Sequence, residues 1–244
     1  MASALIRPID DSDDKLVRFM VAKANMESLA AANRRALYSP LYIAVWLALS
    51  AAFIEFMDWY PKPHYGFLGY LQPLPGFATI FVPLMFAVDW INRPYFEDLT
   101  QAALRAPDMR ASIKAHYSRS PASGFWIVEY GDKFVGLIAI DASTEDDSTK
   151  RPEAKTTATI RHFYVQEPYP AAGIQDDLLS HAVNHCFNKS TTVQQIKAPD
   201  SPLVPYARKS LKEAGFILEK TTETVGLFRW KLGMRSLQRE KRKA

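Results

Sequence analysis

The chain has 244 residues, 48 % hydrophobic and 23 % charged, so it can bury one good core and is not a disordered protein. Its formal charge of +4 is unevenly placed, because residues 229–244 hold seven Lys or Arg and one Glu. Basic residues confined to one end, with no recognised motif, argue against nucleic-acid binding and favour an anionic membrane surface or a solvated tail. The single cysteine, Cys186, excludes a disulfide framework and predicts a small buried hydrophobe in a reducing compartment.

The N-terminal region predicts a strand followed by a helix. Residues 5–9 have the composition of a short strand, and Asp13 stands where it can cap the next helix.

Two stretches without charge, residues 36–54 and 65–88, predict a membrane hairpin joined by a short polar connector. Nineteen helical residues reach about 28 Å, close to the roughly 30 Å hydrocarbon core of a bilayer. Pro73, Pro75 and Pro83 interrupt the second stretch, so two full spans and a shallow re-entrant hairpin both remain open, with a soluble core as the third alternative.

The flanks of these stretches support insertion in a membrane. Arg34, Arg35 and Arg93 stand at the outer ends, which predicts that both termini face the cytosol. Aromatic residues crowd the ends in the way of interface anchors, namely Tyr38, Tyr42, Trp59, Tyr60, Trp90 and Tyr95.

The C-terminal half alternates helix and strand signals. Residues 95–117 predict one or two helices broken near Pro107, residues 125–140 a β-hairpin, and residues 144–155 a loose connection. A strand is predicted at residues 193–198. Pro205 can begin a helix that Gly215 ends, and residues 221–232 predict one or two closing strands.

Residues 160–187 are the most informative segment. They predict a strand at 160–165, a loop containing Gly173, and an amphipathic helix. This arrangement aims backbone N–H groups and a helix dipole at a phosphate, so it predicts a nucleotide-cofactor site.

The order of these elements resembles the GCN5-related N-acetyltransferase (GNAT) fold over roughly residues 5–30 and 95–232. Three features resemble, more narrowly, the membrane-anchored camello-type acetyltransferases: Phe-Trp-Ile-Val-Glu at 125–129, Val135-Gly136, and His162 three residues before Val165. The resemblance implies an α/β (α+β) fold, with a mixed twisted sheet flanked by helices and an inserted two-segment hydrophobic membrane hairpin. The implied divisions are an N-terminal strand and helix (1–35), the hairpin (36–92), the main domain (93–232) and a basic tail (233–244).

The resemblance also implies acetyl-CoA as cofactor, lying between two splayed strands. The residues it would touch are Phe163, Tyr164, Val165, Ala171, Ala172, Gly173, Ile174 and Gln175.

The predicted cofactor loop is degenerate. The family pattern Gln/Arg-x-x-Gly-x-Gly/Ala falls on residues 170–175, where only the central glycine matches. Pro170 has no N–H to donate, and Gln175 is bulky where the family has Gly or Ala. Asp176 and Asp177 would repel a pyrophosphate, each by about 1 kcal/mol.

The catalytic residues are also predicted from the resemblance. The position of the family's proton-donating tyrosine is Leu211, and Tyr206 is about 140° away around the helix, so it is no simple substitute. His162 is the predicted base, with Glu129, or a water held by Glu129 or Glu167, as a further candidate. The alternatives are a packed strand histidine and solvated carboxylates. No metal is predicted, since His181 and His185 have no third ligand.

Two functions follow. One is a membrane-anchored N-acetyltransferase that acetylates an amine on a membrane-proximal protein, a small conjugate or a lipid. The other is a catalytically degenerate protein of the same fold that serves as an accessory, trafficking or assembly factor for a membrane-protein partner. Both place the chain in the lipid bilayer of an internal membrane, the endoplasmic reticulum, with its folded domain facing the cytosol.

Overall fold

The computed structural model describes residues 4–131, 133–143, 156–167, 169 and 173–241, and the side chains in these ranges except at 63–65 and 241. The strands are β1 (Ala4–Pro8), β2 (Gly124–Tyr130), β3 (Lys133–Asp141), β4 (Thr157–Val165), β5 (Gln195–Asp200), β6 (Ile217–Val225) and β7 (Trp230–Gln238). The α-helices are α1 (Asp14–Leu37), α2 (Pro40–Phe56), α3 (Leu74–Arg105), α4 (Pro107–Arg110), α5 (Ile113–Tyr117), α6 (Ile174–Lys189) and α7 (Pro205–Glu213). The predicted loose connection at 144–155 lies outside the described residues.

The seven strands form one mixed sheet in the order β1-β2-β3-β4-β5-β7-β6. All neighbours pair antiparallel except β4 and β5, which are parallel. One face of the sheet packs on α6, around Leu178 and Leu179, and the other packs on α1 and α5, around Val17 and Ile113. The predicted fold class, a mixed twisted sheet flanked by helices, is confirmed.

Local signals placed most elements correctly. The hairpin β2–β3, the strand β4 and the helix α6 fall where the sequence predicts them. Pro205 opens α7, and Gly215 follows it with φ of +88°, a left-handed conformation that glycine adopts without steric cost.

The predicted basic tail beginning at 233 is wrong, because residues 233–238 belong to β7. This strand lies between β5 and β6 and pairs with both. Arg235 is buried there, and its Nε lies 2.7 Å from Oδ1 of Asp200. The guanidinium of Arg239 donates to the carbonyl oxygens of Val193 and Ser190. Arg235 and Arg239, two of the basic residues that suggested an anionic membrane surface, therefore bind groups within the protein.

Two further predictions need correction near the N-terminal half. The carboxylate of Asp13 does not cap α1; it accepts from the Arg7 guanidinium and from the backbone N–H of Asp10. The helical region 95–117 is three helices, because α3 ends at Arg105 and two short helices follow.

The hydrophobic segments form an antiparallel pair, α2 and α3, joined by a 3-10 stretch at Pro63–Leu71. The indole of Trp46 donates to the Phe77 carbonyl at 3.0 Å, and its ring contacts Phe77 and Phe81 edge-on. Among the described residues, one helical segment, Gly66–Arg105, is long and apolar enough to cross a membrane, and only 11 % of its apolar stretch is buried. A second candidate exists if α1 and α2, bent by 60°, count as one span.

Helix α3 continues from the hydrophobic hairpin into the folded domain. Its 32 residues extend about 48 Å, and Phe96 near its C-terminal end is buried in a cluster with Leu29, Ala32 and Leu203. The predicted boundary at residue 92 therefore falls inside one continuous helix.

Candidate functional site

A cleft opens between β4 and β5. The two strands pair only from Thr157–Gln195 to Thr159–Lys197, although β4 continues to Val165 and β5 to Asp200. On its other edge, β4 pairs with β3 through a register shift that leaves Arg161 without an opposite residue. Such a bulge bends a strand, so β4 diverges from β5 just past this point.

The space between the diverging strands is a cavity of about 700 Å³. That volume lies within the range of small-molecule and cofactor sites. Helices α1 and α3 form one wall, while α7, β6 and β7 contribute to the others. Of the predicted cofactor residues, Phe163 and Tyr164 line the cavity, and Val165 adjoins it through its backbone N–H.

Tyr164 connects β4 to α1. Its hydroxyl donates to the Glu27 carboxylate at 2.8 Å. Burial is the main cause that raises the pKa of Tyr164 well above its ordinary value, and the hydrogen bond to Glu27 adds to it. Glu27 and Glu167 both line the cavity, which therefore offers carboxylates to a cationic ligand.

Tyr206, which the sequence does not favour as a substitute for the missing tyrosine, lines the cavity. Its hydroxyl oxygen accepts the Val165 backbone N–H at 3.1 Å, and its ring centroid lies 6.4 Å from that of Phe163. Burial raises the pKa of Tyr206 to about 12, so the phenol is protonated at neutral pH and can donate a proton. The tyrosine stands at the first turn of α7, from where its side chain reaches β4. Leu211 is fully buried in the core, as its residue type requires.

His162 lies on β4 and lines the cavity, and its imidazole is held by a buried carboxylate. Nε2 lies 2.9 Å from Oδ2 of Asp108, which also accepts the Tyr117 hydroxyl at 2.8 Å. Burial is the largest influence on the pKa of Asp108 and raises it, but the hydrogen bonds and the charge of His162 outweigh burial and lower that pKa below its ordinary value. With Nε2 facing Asp108, Nδ1 is the ring nitrogen that remains to accept a proton.

Glu129 is not part of the cavity. It lies on β2, and its carboxylate is 2.6 Å from the Arg7 guanidinium, which also binds Asp13. This ion-paired carboxylate lies on β2, which β3 separates from β4, so the structure separates Glu129 from His162. Glu167, the other carboxylate considered, does line the cavity.

The N-terminus of α6 holds the described part of the predicted cofactor loop. Gly173 has φ of +76°, and Ile174 and Gln175 are buried. Asp176 accepts hydrogen bonds from the Ser210 hydroxyl on α7 and from Gln175 Nε2, so its carboxylate is engaged within the protein. Pro170, together with the predicted contacts Ala171 and Ala172, lies outside the described residues.

The two histidines considered and rejected as metal ligands pack against the sheet. His181 and His185 both contact the Trp126 ring edge-on, with centroids 5.3 and 4.8 Å away. His185 Nε2 lies 3.1 Å from the carbonyl oxygen of Pro121. The spacing of four residues therefore places both imidazoles against the same tryptophan of β2.

A sequence model of the acetyltransferase (GNAT) family matches residues 84–212, more than half of the chain. A comparison with curated proteins finds no matching sequence.

Solved structures similar to this chain include three acetyltransferases. One is a GNAT-family acetyltransferase from Streptococcus pneumoniae, with 12 % identity, 97 % and 99 % of the two chains covered and a TM-score of 0.46. A candidate acetyltransferase from Salmonella typhimurium, solved with its cofactor acetyl-CoA, has 13 % identity, 99 % and 96 % coverage and a TM-score of 0.48. Spermidine N-acetyltransferase from Vibrio cholerae, solved with CoA and spermine, has 10 % identity, 98 % and 96 % coverage and a TM-score of 0.48.

Proposed function

The chain belongs to the GNAT acetyltransferase family, and from that premise we propose that it transfers the acetyl group of acetyl-CoA to an amine at the surface of a membrane. The observation that carries this proposal is the cleft between β4 and β5. Past Thr159 the edge of β4 that faces β5 has no strand partner, so an extended ligand can lie along it. An accessory protein would not require such a cleft, and no observation favours that alternative.

The chemistry assigns roles to two side chains in the cleft, His162 and Tyr206. The neutral amine attacks the thioester carbonyl carbon, a C–N bond forms, and the C–S bond breaks. His162, oriented by Asp108, takes the proton that the amine loses, and the Tyr206 phenol gives a proton to the departing sulfur. The Val165 N–H, now bound to Tyr206, is the donor that a thioester oxygen would take over.

Membrane anchorage is the second part of the proposal. Of 27 large hydrophobic side chains that are exposed among the described residues, 19 fall between residues 38 and 91, so the exposed apolar surface is concentrated on α2, the 3-10 stretch and α3. Soluble proteins rarely leave so much contiguous apolar surface in water. We place this hairpin in the bilayer of an internal membrane such as the endoplasmic reticulum, with the cleft on the cytosolic side.

The depth of insertion follows from helix lengths. The 17 residues of α2 reach about 25 Å, somewhat less than the roughly 30 Å hydrocarbon core. Two short spans and a deep re-entrant hairpin both fit this length. Labelling an Asp58→Cys variant in the connector from either side of sealed vesicles distinguishes them.

Calorimetric titration of acetyl-CoA into the detergent-purified protein tests the enzymatic proposal. We expect binding in the micromolar range, and its loss in a Gly173→Trp variant, which places a bulky ring at the N-terminus of α6. Gly131→Trp is the matched control, because Gly131 also has a positive φ, of +61°, and lies in the β2–β3 turn with no atom near an added Cβ. No binding at hundreds of micromolar would refute a working cofactor site.

A further inference from the structure

A second groove lies beside the cleft, at the base of the hydrophobic hairpin. It is lined by α1, α2 and α3 and has a volume of about 730 Å³. One part is apolar and aromatic, formed around Tyr42, Trp46 and Phe81, whereas charged and amide side chains stand at its other end. A groove that is apolar along its length and charged at one end is complementary to a membrane amphiphile.

The charged end carries one cation that is not neutralised. Asp89 accepts from Asn33 at 2.6 Å and from Arg93 at 2.6 Å, so these three groups satisfy one another. Arg34 is exposed and makes no side-chain hydrogen bond or ion pair with any residue that the structure describes. An anionic group at the mouth of the groove would therefore find an available guanidinium.

The groove and the cleft adjoin along α1. Ala30 and Arg34 line both cavities, and the small Ala30 side chain stands where they adjoin. Glu27, which binds Tyr164 inside the cleft, precedes Arg34 by seven residues, about 10.5 Å along the helix axis. One face of α1 thus carries Glu27 beside the proposed reaction centre and Arg34 beside the apolar groove.

We propose that the acceptor is a membrane phospholipid whose phosphate headgroup carries a primary amine. Its hydrocarbon chain lies against Tyr42, Trp46 and Phe81, its phosphate binds Arg34, and its amine enters the cleft past Ala30 toward Glu27. This inference rests on the proposed function, and names its substrate class. The lipid ammonium first releases one proton to solvent. The neutral amine nitrogen then forms the amide bond to the acetyl carbon and gives its second proton to His162, while the thioester C–S bond breaks and CoA leaves as the thiol with the proton of Tyr206.

The test compares two acceptors that share the headgroup. The full-length protein in detergent is given acetyl-CoA labelled in the acetyl group, with either lysophosphatidylethanolamine or free phosphoethanolamine, and amide formation is followed by mass spectrometry. We expect kcat/KM for the lipid to exceed that for the free headgroup by at least about 100-fold, since only the lipid buries its chain in the groove. Equal rates for the two acceptors would overturn the proposal.

Two variants locate the binding site. Arg34→Gln is expected to lower kcat/KM for the lipid by at least about 10-fold, because a charge-assisted hydrogen bond is lost. Arg35→Gln is the matched control, since Arg35 is exposed, adjacent and lines neither cavity, and it should leave the rate nearly unchanged. Ala30→Trp is expected to block the lipid while acetyl-CoA still binds. Equal effects of the two arginine substitutions would also overturn the proposal.

Failure of this inference is distinguishable from failure of the proposed function. If acetyl-CoA binds and a soluble amine or a lysine peptide is acetylated in preference to the lipid, the enzyme stands and the lipid acceptor is refuted. If acetyl-CoA does not bind, both are refuted. Retention of lysophosphatidylethanolamine by the protein through gel filtration gives a readout that needs no turnover. It should fall in the Arg34→Gln protein and stay unchanged in the Arg35→Gln protein.

Discussion

The hydroxyl of Tyr206 and the backbone N–H of Val165 meet at 3.1 Å, which ties the first turn of α7 to the free edge of β4. The contact places a protonated phenol beside a strand whose backbone donors face the cleft. A bound thioester would present its carbonyl oxygen and its sulfur to these same two groups. In the proposed mechanism, proton donation therefore depends on Tyr206, five positions before Leu211, where the family resemblance implies the tyrosine.

Replacing Tyr206 by Phe should slow acetyl transfer by about 100-fold or more, because the leaving thiolate loses its proton donor. Acetyl-CoA affinity, measured by calorimetry, should change by no more than about threefold. Tyr130→Phe, at an exposed tyrosine outside the cavity, is the control. Equal rates in the Tyr206 variant and the parent would remove Tyr206 from the mechanism.

The pH dependence of the rate gives a second check on Tyr206. Since its pKa is raised to about 12 by burial, the phenol remains protonated through the ordinary alkaline range. We expect no alkaline decline attributable to this residue below about pH 11 in kcat measured with saturating amine. A decline centred near pH 10 that disappears in the Phe variant would contradict the buried environment of the hydroxyl.

His162→Gln should lower the rate at neutral pH by about 100-fold and destabilise the protein by about 2 kcal/mol, because Asp108 loses its partner. The pKa of Asp108 in the folded protein is lower than its ordinary value of 3.8. The ionised carboxylate therefore stabilises the fold above pH 3.8, and this stabilisation is lost as the pH falls through the folded-state pKa. The difference in unfolding free energy between parent and variant should therefore shrink in acid. Denaturant melts at pH 7 and pH 3 measure it, with His181→Gln as control.

The thiol of Cys186 should resist modification in the folded protein. The side chain is buried on α6, and burial raises its pKa to about 12, so the reactive thiolate is scarce at pH 8. A disulfide reagent should label it only after denaturant is added. The raised pKa also predicts that stability is unaffected by this group below about pH 9 and declines as the pH rises toward 12. Rapid labelling without denaturant would show that the α6 face is open.

Truncation tests the corrected C-terminal boundary. A chain ending at Leu232 loses most of β7 and with it the Arg235–Asp200 ion pair, so we expect it not to fold. A chain ending at Lys241 keeps β7 and the Arg239 contacts and should fold normally. Gel filtration and circular dichroism in detergent distinguish the two, and a folded shorter chain would mean that β7 is dispensable.

Much of the fold could be predicted because its signals are local. Two apolar runs on either side of a turn predict β2 and β3, and a proline and a glycine bracket α7. The C-terminal strand was misread because Arg235 stands at an inward position of β7, where a charge argues against burial. The Asp200 carboxylate, 35 residues earlier, and the Phe216 carbonyl accept hydrogen bonds from this guanidinium and make the position acceptable for an arginine.

The candidate site was predicted in part. The strand that precedes a glycine loop predicted a cofactor site at this place, and the family resemblance implied His162 and the β4 residues. Glu129 was a further candidate in sequence, and the structure pairs it with Arg7, because a strand's faces and neighbours depend on pairing across the sheet. Asp108, Glu27 and Arg34 have no local signal, since each acquires its role from a segment far away in the chain.

The sequence by itself determined the strand and helix order, the uncharged hairpin, the buried cysteine and the glycine loop, because propensity, periodicity and backbone freedom act over a few residues. Tertiary structure alone decided that β4 parts from β5, that Tyr206 reaches Val165, that β7 lies inside the sheet, and that a groove at the base of the hairpin shares Ala30 and Arg34 of α1 with the cleft. These are relationships between surfaces brought together by folding, and their energies depend on partners that sequence spacing does not reveal.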